Sequence, residues 1–341
     1  TAPHSPMLGT RYRVTLGNYC FRSKNKEIMK TKIAASACVT ARRALTTAAA
    51  PPAASFNLAA RATITARRAL TPTAVALDLL IHEEDVRQGF DFSAGQWVDL
   101  QSPGVKQLGG FSICSTSQEL PRLELAIRDS PDWAPARWCY HDAAVGDEVS
   151  VRVGGDFTLG ARATVESGDL LLIAGGIGIN PLISILREIE DGAVPQYGML
   201  GALGRRRRVH LLYSARSVQE LAFREEIDGI VQRSLRSNVN VTAELRVTSS
   251  DNNAVKNAGE KKRESWAGRR GRFDASDIAA AVALTSEYAV DAGRSDGGST
   301  LEPGNPDVFI CGPPLMIKAF AKQAIACGVK EERVHYEQWW E

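Results

Sequence analysis

The 341-residue sequence lacks the motifs that mark several common protein classes. Its six cysteines form no C-x-x-C pair and no iron–sulfur spacing, which argues against a cluster or structural zinc and favours reduced thiols. The five histidines show no spacing typical of metal ligands. Because Walker, G-x-S-x-G and H-E-x-x-H motifs are also absent, the sequence indicates neither P-loop chemistry nor the common hydrolase and zinc-protease mechanisms.

Acidic residues are scarce in the first 77 positions, which carry twelve Lys or Arg and only one acid, Glu27. The remaining residues carry 29 basic and 38 acidic side chains, so the net charge of +2 combines a basic start with an acidic body. An acidic body argues against nucleic acid as the main partner, because phosphate binding needs an electropositive surface.

Residues 1–60 are rich in Ala, Thr, Ser and Arg and lack the apolar core of a secretory signal. This composition is typical of an organellar transit segment and predicts a mitochondrial location. A disordered basic tail on a cytoplasmic protein is the alternative. The heptapeptide TARRALT occurs at Thr40–Thr46 and again at Thr65–Thr71, and only the second copy leads into a plausible strand.

Charge is absent from Leu170 to Leu186, where an apolar run leads into a glycine turn and a helical pattern. The run is marginally short for a membrane span, and its glycines and Asn-Pro pair predict a buried strand, a tight turn and a helix instead. Glycine lets the backbone approach a ligand and a helix start favours negative charge, so the turn predicts a dinucleotide diphosphate site. A purely structural turn is the alternative. The turn consists of Gly175, Gly176, Ile177, Gly178, Ile179, Asn180 and Pro181.

The rest of the chain falls into two parts with different residue patterns. Short apolar segments between turn residues from Ala62 to Thr158 predict an antiparallel β-barrel or sandwich. After Gly168, strands alternate with helices, which predicts a parallel sheet covered on both faces. We therefore predict a transit-like or disordered segment at 1–60, a β-barrel domain at 62–160 and an α/β nucleotide-binding domain at 168–341. The predicted helices of the last domain are Pro181–Glu190, Val218–Ile230, Ala275–Leu284 and Leu315–Cys327.

The predicted strand Val209–Tyr213 has basic residues on both sides. The run Arg205–Arg208 before it predicts an exposed loop tip, with a docking patch for an acidic partner as the alternative. Ser214 and Arg216 after it could hold the 2′-phosphate of NADP, and no acid stands at the strand end to bind the ribose of NAD. Since Arg216 could instead point to solvent, the sequence leaves NAD and NADP open.

Five stretches, in chain order, resemble the ferredoxin-reductase-like flavoprotein family. They are GQWVDL at Gly95–Leu100, FSICS at Phe111–Ser115, the turn Gly175–Pro181, CGPPLM at Cys311–Met316 and YEQW at Tyr336–Trp339. The resemblance implies a flavin-type barrel followed by a nucleotide domain, with FAD and NAD or NADP as cofactors. It also implies hydride transfer from NAD(P)H to FAD and onward transfer of electrons to an external acceptor.

The resemblance also implies roles for single residues. Phe111 would pack against the flavin ring, and Ser112 would hydrogen-bond near its redox-active edge. The nicotinamide would lie near Cys311, which is followed by Gly312 and Pro313 in the cofactor-binding motif. Trp339 would stack on the flavin and Glu337 would handle protons. Ordinary packing of a small buried residue and of a chain terminus is the alternative for Cys311, Glu337 and Trp339.

One departure from the family pattern concerns the flavin diphosphate. The arginine that clamps it in the family is replaced by Gly109 or Gly110, and Pro135–Trp138 replaces the second phosphate-binding segment. Arg137 could restore the lost charge or lie on the surface. Loss of a charge-assisted hydrogen bond weakens binding by roughly ten- to hundredfold. A catalytically weak or inactive NAD(P)-binding sensor or scaffold is therefore the alternative function.

Overall fold

Six antiparallel strands form the first sheet of the computed structural model, which describes residues 59–159, 169–192, 206–249, 266–286 and 305–339. The strands run in the order β4-β3-β6-β1-β2-β5. An isolated antiparallel bridge between Ile113 and Leu125 joins the end of β4 to β5, so the sheet closes on itself as a barrel. The strands are β1 (Ala60–Thr71), β2 (Ala74–Ile81), β3 (Trp97–Gln101), β4 (Gly109–Ser112), β5 (Arg122–Arg128) and β6 (Glu148–Gly154).

The second sheet is parallel, with the order β10-β9-β8-β7-β11-β12. From β7 to β10 each new strand is added on one side of β7, whereas β11 and β12 are added on its other side. The order of strand addition therefore reverses between β7 and β11, although all strands stay parallel. Ligands of open α/β sheets bind at the carboxyl ends of the strands at such a reversal. The strands are β7 (Leu170–Gly175), β8 (Arg207–Ala215), β9 (Val239–Val247), β10 (Arg269–Arg270), β11 (Asp307–Cys311) and β12 (Val334–Glu337).

Six α-helices accompany the sheets within the described residues. Strand β7 is fully buried, and its alternate residues enter two cores, one shared with the helix at 179–190 and one with the helices at 275–286 and 314–326. The inner face of the barrel forms a third core. No described helix is long and apolar enough to cross a membrane. The helices are α1 (Glu83–Arg87), α2 (Ala134–His141), α3 (Ile179–Glu190), α4 (Arg224–Ser234), α5 (Ala275–Ser286) and α6 (Pro314–Ala326).

The predicted two-part architecture, a barrel followed by a parallel α/β sheet, is confirmed. The described residues belong to one compact unit, Ser55–Glu341. The exact domain bounds stay a prediction. The segment 1–58, which includes the first TARRALT copy, and the predicted boundary 160–168 lie outside the described residues. The second TARRALT copy forms the last part of β1.

One predicted helix is wrong in its continuity. The range Val218–Ile230 contains a short 3-10 helix, Val218–Glu220, and then α4, which begins only at Arg224. The helix is interrupted because the N–H of Ala222 donates to the Tyr213 hydroxyl at 3.0 Å and Phe223 adopts a left-handed φ of 57°. Sequence periodicity detected the apolar face but not this competing hydrogen bond.

The predicted exposed loop tip at the arginine run is also wrong for its described members. Arg207 begins β8 and is 5% exposed. Arg208 pairs with Asp169 at 2.9 Å, and the Arg206 guanidinium donates to the Val239 carbonyl at 3.1 Å. These arginines therefore tie neighbouring strands together, and Arg205 lies outside the described residues.

Candidate active site

The glycine turn after β7 lies against the turn after β11. A Cβ on Gly178 would lie 2.4 Å from the carbonyl oxygen of Cys311, and a Cβ on Gly312 would lie 3.0 Å from the backbone nitrogen of Gly175. Only glycine permits this approach of two backbones. Gly176, in contrast, has a left-handed φ of 57° and faces open space, so its backbone is available to a ligand.

A cavity of about 500 Å³ opens at these two turns. This volume lies within the range of small-molecule and cofactor sites. Its floor contains Gly175, Gly176 and Ile177 from the first turn and Pro313 from the second. Ser214 and Arg216 line it from the end of β8, and so do Thr248, Arg272 and Phe273 from the segments beyond β9 and β10. We call this cavity the dinucleotide cleft.

The rim of the dinucleotide cleft is basic where Arg216 and Arg272, both exposed, face it. Glu220 also lines the cleft, but its carboxylate accepts hydrogen bonds from the hydroxyls of Thr71 (3.2 Å) and Thr73 (2.8 Å). These threonines flank the turn between β1 and β2, so the barrel forms one wall of the cleft. The Glu220 carboxylate is therefore hydrogen-bonded to the barrel.

A second cluster lies on the other side of the β11 turn. Cys311 and Glu337 are register partners on β11 and β12. The Ser112 hydroxyl donates to Glu337 Oε2 at 3.3 Å, and the Trp339 indole N–H donates to the same oxygen at 3.2 Å. The predicted residues Ser112, Cys311, Glu337 and Trp339 therefore come together, and we call them the carboxyl cluster.

Burial controls the acidity of this cluster. Burial raises the pKa of Glu337 to about 8, although the hydrogen bonds from Ser112 and Trp339 oppose the rise. Glu337 therefore holds a proton at neutral pH. Burial, and then the nearby Glu337 carboxylate, raise the pKa of the Cys311 thiol well above its ordinary value. The cluster thus contains a protonated carboxyl group and a protonated thiol. Because the thiol keeps its proton, Cys311 does not act as a thiolate nucleophile.

Two tryptophans rest directly on glycine backbone beside the cluster. A Cβ on Gly110 would lie 2.4 Å from the Trp339 ring, and a Cβ on Gly155 would lie 2.6 Å from the Trp97 ring. The two rings meet edge to face with centroids 5.4 Å apart. Glycine at position 110 therefore lets the Trp339 ring pack directly against the backbone, where any side chain would clash with it.

The residues where the resemblance implies the FAD diphosphate do not fit that group. A Cβ on Gly109 would lie 2.4 Å from the Phe111 ring and 2.7 Å from Pro135, so an arginine side chain has no room to leave this position. Phe111 is buried in the barrel core against Trp133 rather than facing the cleft. Trp133 caps α2 without a side-chain hydrogen bond, and Pro135 removes a backbone donor from the helix start.

An ion-pair network fixes the two sheets relative to one another. Glu124 of β5 is fully buried, and Arg187 of α3 donates to it at 2.6 Å and to the Cys114 carbonyl at 2.7 Å. The same guanidinium binds Glu226 of α4 through two hydrogen bonds of 2.6 and 2.8 Å. This network connects the barrel to the nucleotide sheet.

The structure places the predicted site residues in three groups. Gly175, Gly176, Ile177, Ser214, Arg216 and Pro313 line the dinucleotide cleft, and Ser112, Cys311, Glu337 and Trp339 form the carboxyl cluster. The remaining predicted residues, Gly178, Ile179, Asn180, Pro181, Gly312 and Phe111, are buried. Sequence reasoning missed Arg272, Phe273, Thr248 and Glu220. Thr248 and Glu220 follow the ends of β9 and β8, and this position is the signal that could have found them.

Comparisons with known proteins agree with this arrangement. Oxidoreductase NAD-binding domain-containing protein 1 of Bos taurus is 32% identical over 272 residues, which cover 79% of this chain and 77% of the relative. The chain belongs to this oxidoreductase family. Residues 172–322 match the oxidoreductase NAD-binding domain model, and this range contains the cleft residues that the second sheet contributes.

Solved structures place the family in the ferredoxin-reductase-like fold. The Amycolatopsis cytochrome P450 reductase GcoB aligns with a TM-score of 0.59 and 23% identity over 82% of this chain and 69% of that one. A ferredoxin NADP+ reductase from Neisseria gonorrhoeae, solved with FAD and NADP, aligns with a TM-score of 0.57 and 17% identity over 82% and 98%. The ferredoxin-reductase-like family comprises FAD- and NAD(P)-dependent electron transferases.

Proposed function

We propose that this chain is an NAD(P)H-dependent oxidoreductase that delivers the two electrons of the dinucleotide to an external acceptor. One observation carries the proposal: residues 311–313 belong to both sites, because Pro313 lines the dinucleotide cleft and Cys311 pairs with Glu337 of the carboxyl cluster. A dinucleotide whose diphosphate lies on Gly176 and Ile177 could extend its nicotinamide along this segment.

The cleft supports NADPH over NADH. Arg216 and Arg272 face the rim, and Ser214 adds a hydroxyl, which together suit a 2′-phosphate. An acid for the ribose 2′-hydroxyl of NADH would be Glu220, but its carboxylate is bound to Thr71 and Thr73. We therefore expect the 2′-phosphate to add binding free energy in this cleft.

Glu337 would supply the proton that accompanies hydride transfer. Its carboxyl group is protonated at neutral pH, and Ser112 and Trp339 hold its Oε2 in place. A positioned general acid contributes about 10²–10⁴-fold to rate. Because the FAD diphosphate does not fit the residues present, the hydride would pass from NADPH directly to the external acceptor.

Purified full-length chain tests the proposal by steady-state oxidation of NADPH with a quinone as acceptor, because a quinone takes up one hydride and one proton to become a hydroquinone. We expect turnover with this quinone to fall by at least about tenfold in Glu337→Gln at neutral pH. Glu332→Gln, an exposed glutamate of the same segment, is the matched control and should keep wild-type turnover. A chain that neither binds nor oxidises NADPH would contradict the proposal.

The altered diphosphate segment favours one alternative, an NAD(P)-binding sensor or scaffold without turnover. Its signature would be NADPH binding by calorimetry with no electron transfer to ferricyanide or quinone. We also propose mitochondrial import on the composition of residues 1–60 alone; a fluorescent fusion carrying these residues should reach mitochondria, and a diffuse cytoplasmic signal would contradict this.

A further inference from the structure

Glu220 is the one acid among the described residues that line the dinucleotide cleft, whereas Arg128, Arg216 and Arg272 line it as bases. Arg216 precedes Glu220 by four residues in the chain, and its side chain is exposed. Within the part of the chain that the structure describes, the Glu220 carboxylate makes no ion pair with Arg216 and instead contacts hydroxyl groups. A carboxylate paired with Arg216 would occupy the guanidinium group that a 2′-phosphate requires.

Two hydroxyl groups of the barrel hold this carboxylate. Thr71 and Thr73 both donate to Glu220 Oε2, at 3.2 and 2.8 Å. The Thr71 hydroxyl oxygen also accepts a hydrogen bond from the Thr73 backbone N–H at 3.3 Å, which leaves its own proton for the carboxylate. Hydrogen bonds to an ionised acceptor are stronger than those between neutral groups. The two threonines therefore stabilise the charge of Glu220 without neutralising it.

The turn that carries the two threonines is fixed from within the barrel. The Tyr140 hydroxyl donates to the Pro72 carbonyl at 3.0 Å, and the Asp129 N–H donates to the Thr73 carbonyl at 2.9 Å. The backbone of Glu220 is fixed as well, because this residue ends a 3-10 helix and its N–H donates to the N-cap carbonyl of that helix at 3.1 Å. Since both backbones are held, the Glu220 side chain is the part that moves when a hydroxyl group is removed.

We propose that Thr71 and Thr73 are positioning residues for the choice of dinucleotide. They hold the Glu220 carboxylate against the barrel and so leave Arg216 to the 2′-phosphate of NADPH. The inference rests on the proposed function, since it concerns the same cleft, and it places a determinant of coenzyme preference in a turn of the barrel. Without the two hydroxyl groups, Glu220 pairs with Arg216 or accepts a hydrogen bond from the ribose 2′-hydroxyl of NADH. Either contact lowers the preference for NADPH.

Calorimetric titration of the full-length chain with two probes tests the inference. Adenosine 2′,5′-bisphosphate and adenosine 5′-monophosphate differ only in the 2′-phosphate, so the ratio of their dissociation constants measures what this group contributes. We expect wild type to bind the bisphosphate at least about tenfold more tightly, and the variant that combines Thr71→Val with Thr73→Val to bind the two probes within about threefold of each other. A combined variant that keeps the wild-type ratio would overturn the inference.

Glu220→Gln separates a positioning role of the threonines from a structural one. Gln still accepts hydrogen bonds from the two hydroxyl groups but carries no charge that competes for Arg216, so the probe ratio should be at least that of wild type. A lower ratio in this single variant would by itself overturn the inference.

The same substitution serves as a background for the valine variants. Once Glu220→Gln is present, Thr71→Val and Thr73→Val together should change the probe ratio less than about twofold, because no carboxylate is released. An equal fall in both backgrounds would show that the hydroxyl groups act through the fold, and it would overturn the inference. Thr65→Val is the matched control, since this threonine is exposed on the same strand, β1, and its hydroxyl donates to the Asp78 carbonyl; it should keep the wild-type ratio.

Failure of the inference can be told apart from failure of the proposed function. Steady-state oxidation of NADPH and of NADH by a quinone is measured on the same preparation as the probe affinities. If NADPH is oxidised while the valine substitutions leave the probe ratio unchanged, the proposed function stands and the inference fails. A wild-type probe ratio near one overturns the inference, whereas turnover of either dinucleotide still supports the oxidoreductase. If neither dinucleotide binds or is oxidised, the proposed function fails whatever the probe ratio is.

Discussion

Substitution of Glu337 by Gln should remove a pH-dependent loss of stability. The pKa of the carboxyl group rises from its ordinary value of 4.5 to about 8 in the folded chain, chiefly through burial. Between these values the folded state holds a proton that the unfolded state has released, so stability is highest below the lower value and is lost as pH rises through the higher one. Each pKa unit corresponds to about 1.36 kcal/mol.

The magnitude follows from the two pKa values. Between about pH 5.5 and about pH 8.5, Glu337 should cost the wild-type chain about 3 kcal/mol more at the higher pH than at the lower. Gln keeps the shape of the side chain but cannot ionise. The free energy of unfolding of Glu337→Gln, relative to that of wild type, should therefore be about 3 kcal/mol higher at about pH 8.5 than at about pH 5.5.

Urea unfolding of the full-length chain at both pH values measures this difference. Glu332→Gln is the control, because this exposed side chain lies on the same segment and should leave the pH dependence of stability unchanged. If Glu337→Gln shifts stability by the same amount at both pH values, the carboxyl group is not held protonated by burial. Glu337 would then be ruled out as the proton donor.

Three further predictions concern the cleft and the domain contact. Arg216→Ala and Arg272→Ala should each raise the KM for NADPH about tenfold while leaving that for NADH nearly unchanged, and equal effects on both dinucleotides would contradict a 2′-phosphate contact. Gly178→Ala should destabilise the chain far more than Gly176→Ala, which meets open space and costs only about 1–2 kcal/mol for its left-handed backbone; calorimetric melting compares them. Arg187→Met should cost about 3 kcal/mol in urea unfolding, since it leaves a buried carboxylate short of a partner, and a loss below about 1 kcal/mol would refute that.

The repeating patterns of the sequence predicted most of the fold. Helices α3, α5 and α6 lie within two residues of their predicted bounds, because apolar residues at helical spacing mark the buried face of a helix. The helix break at Phe223 was not predictable, because it depends on a hydroxyl from Tyr213, nine residues before the bonded N–H in the chain. The arginine run was misread because its partners, such as Asp169, lie on another strand.

The candidate site, like the fold, could be predicted only in part from the sequence. The glycine turn and the Cys-Gly-Pro turn could be located from sequence because close backbone contact demands glycine at fixed positions such as Gly178 and Gly312. Arg272 could not be located, since a two-residue strand and an irregular segment bring it to the cleft. The apolar filling around Gly109 required coordinates, because a missing arginine does not reveal what takes its place.

The buried carboxylate of Glu124 has a consequence for anyone who wishes to dissect this protein. Its balancing charges come from Arg68 and Arg122 within the barrel and from Arg187 on the far side of the domain contact. A barrel expressed alone would expose apolar surface and lose one of those guanidinium groups at a carboxylate that has no access to water. The barrel thus depends on a positive charge from the second domain to balance Glu124. Expressing the two domains separately should therefore yield insoluble fragments instead of two folded proteins.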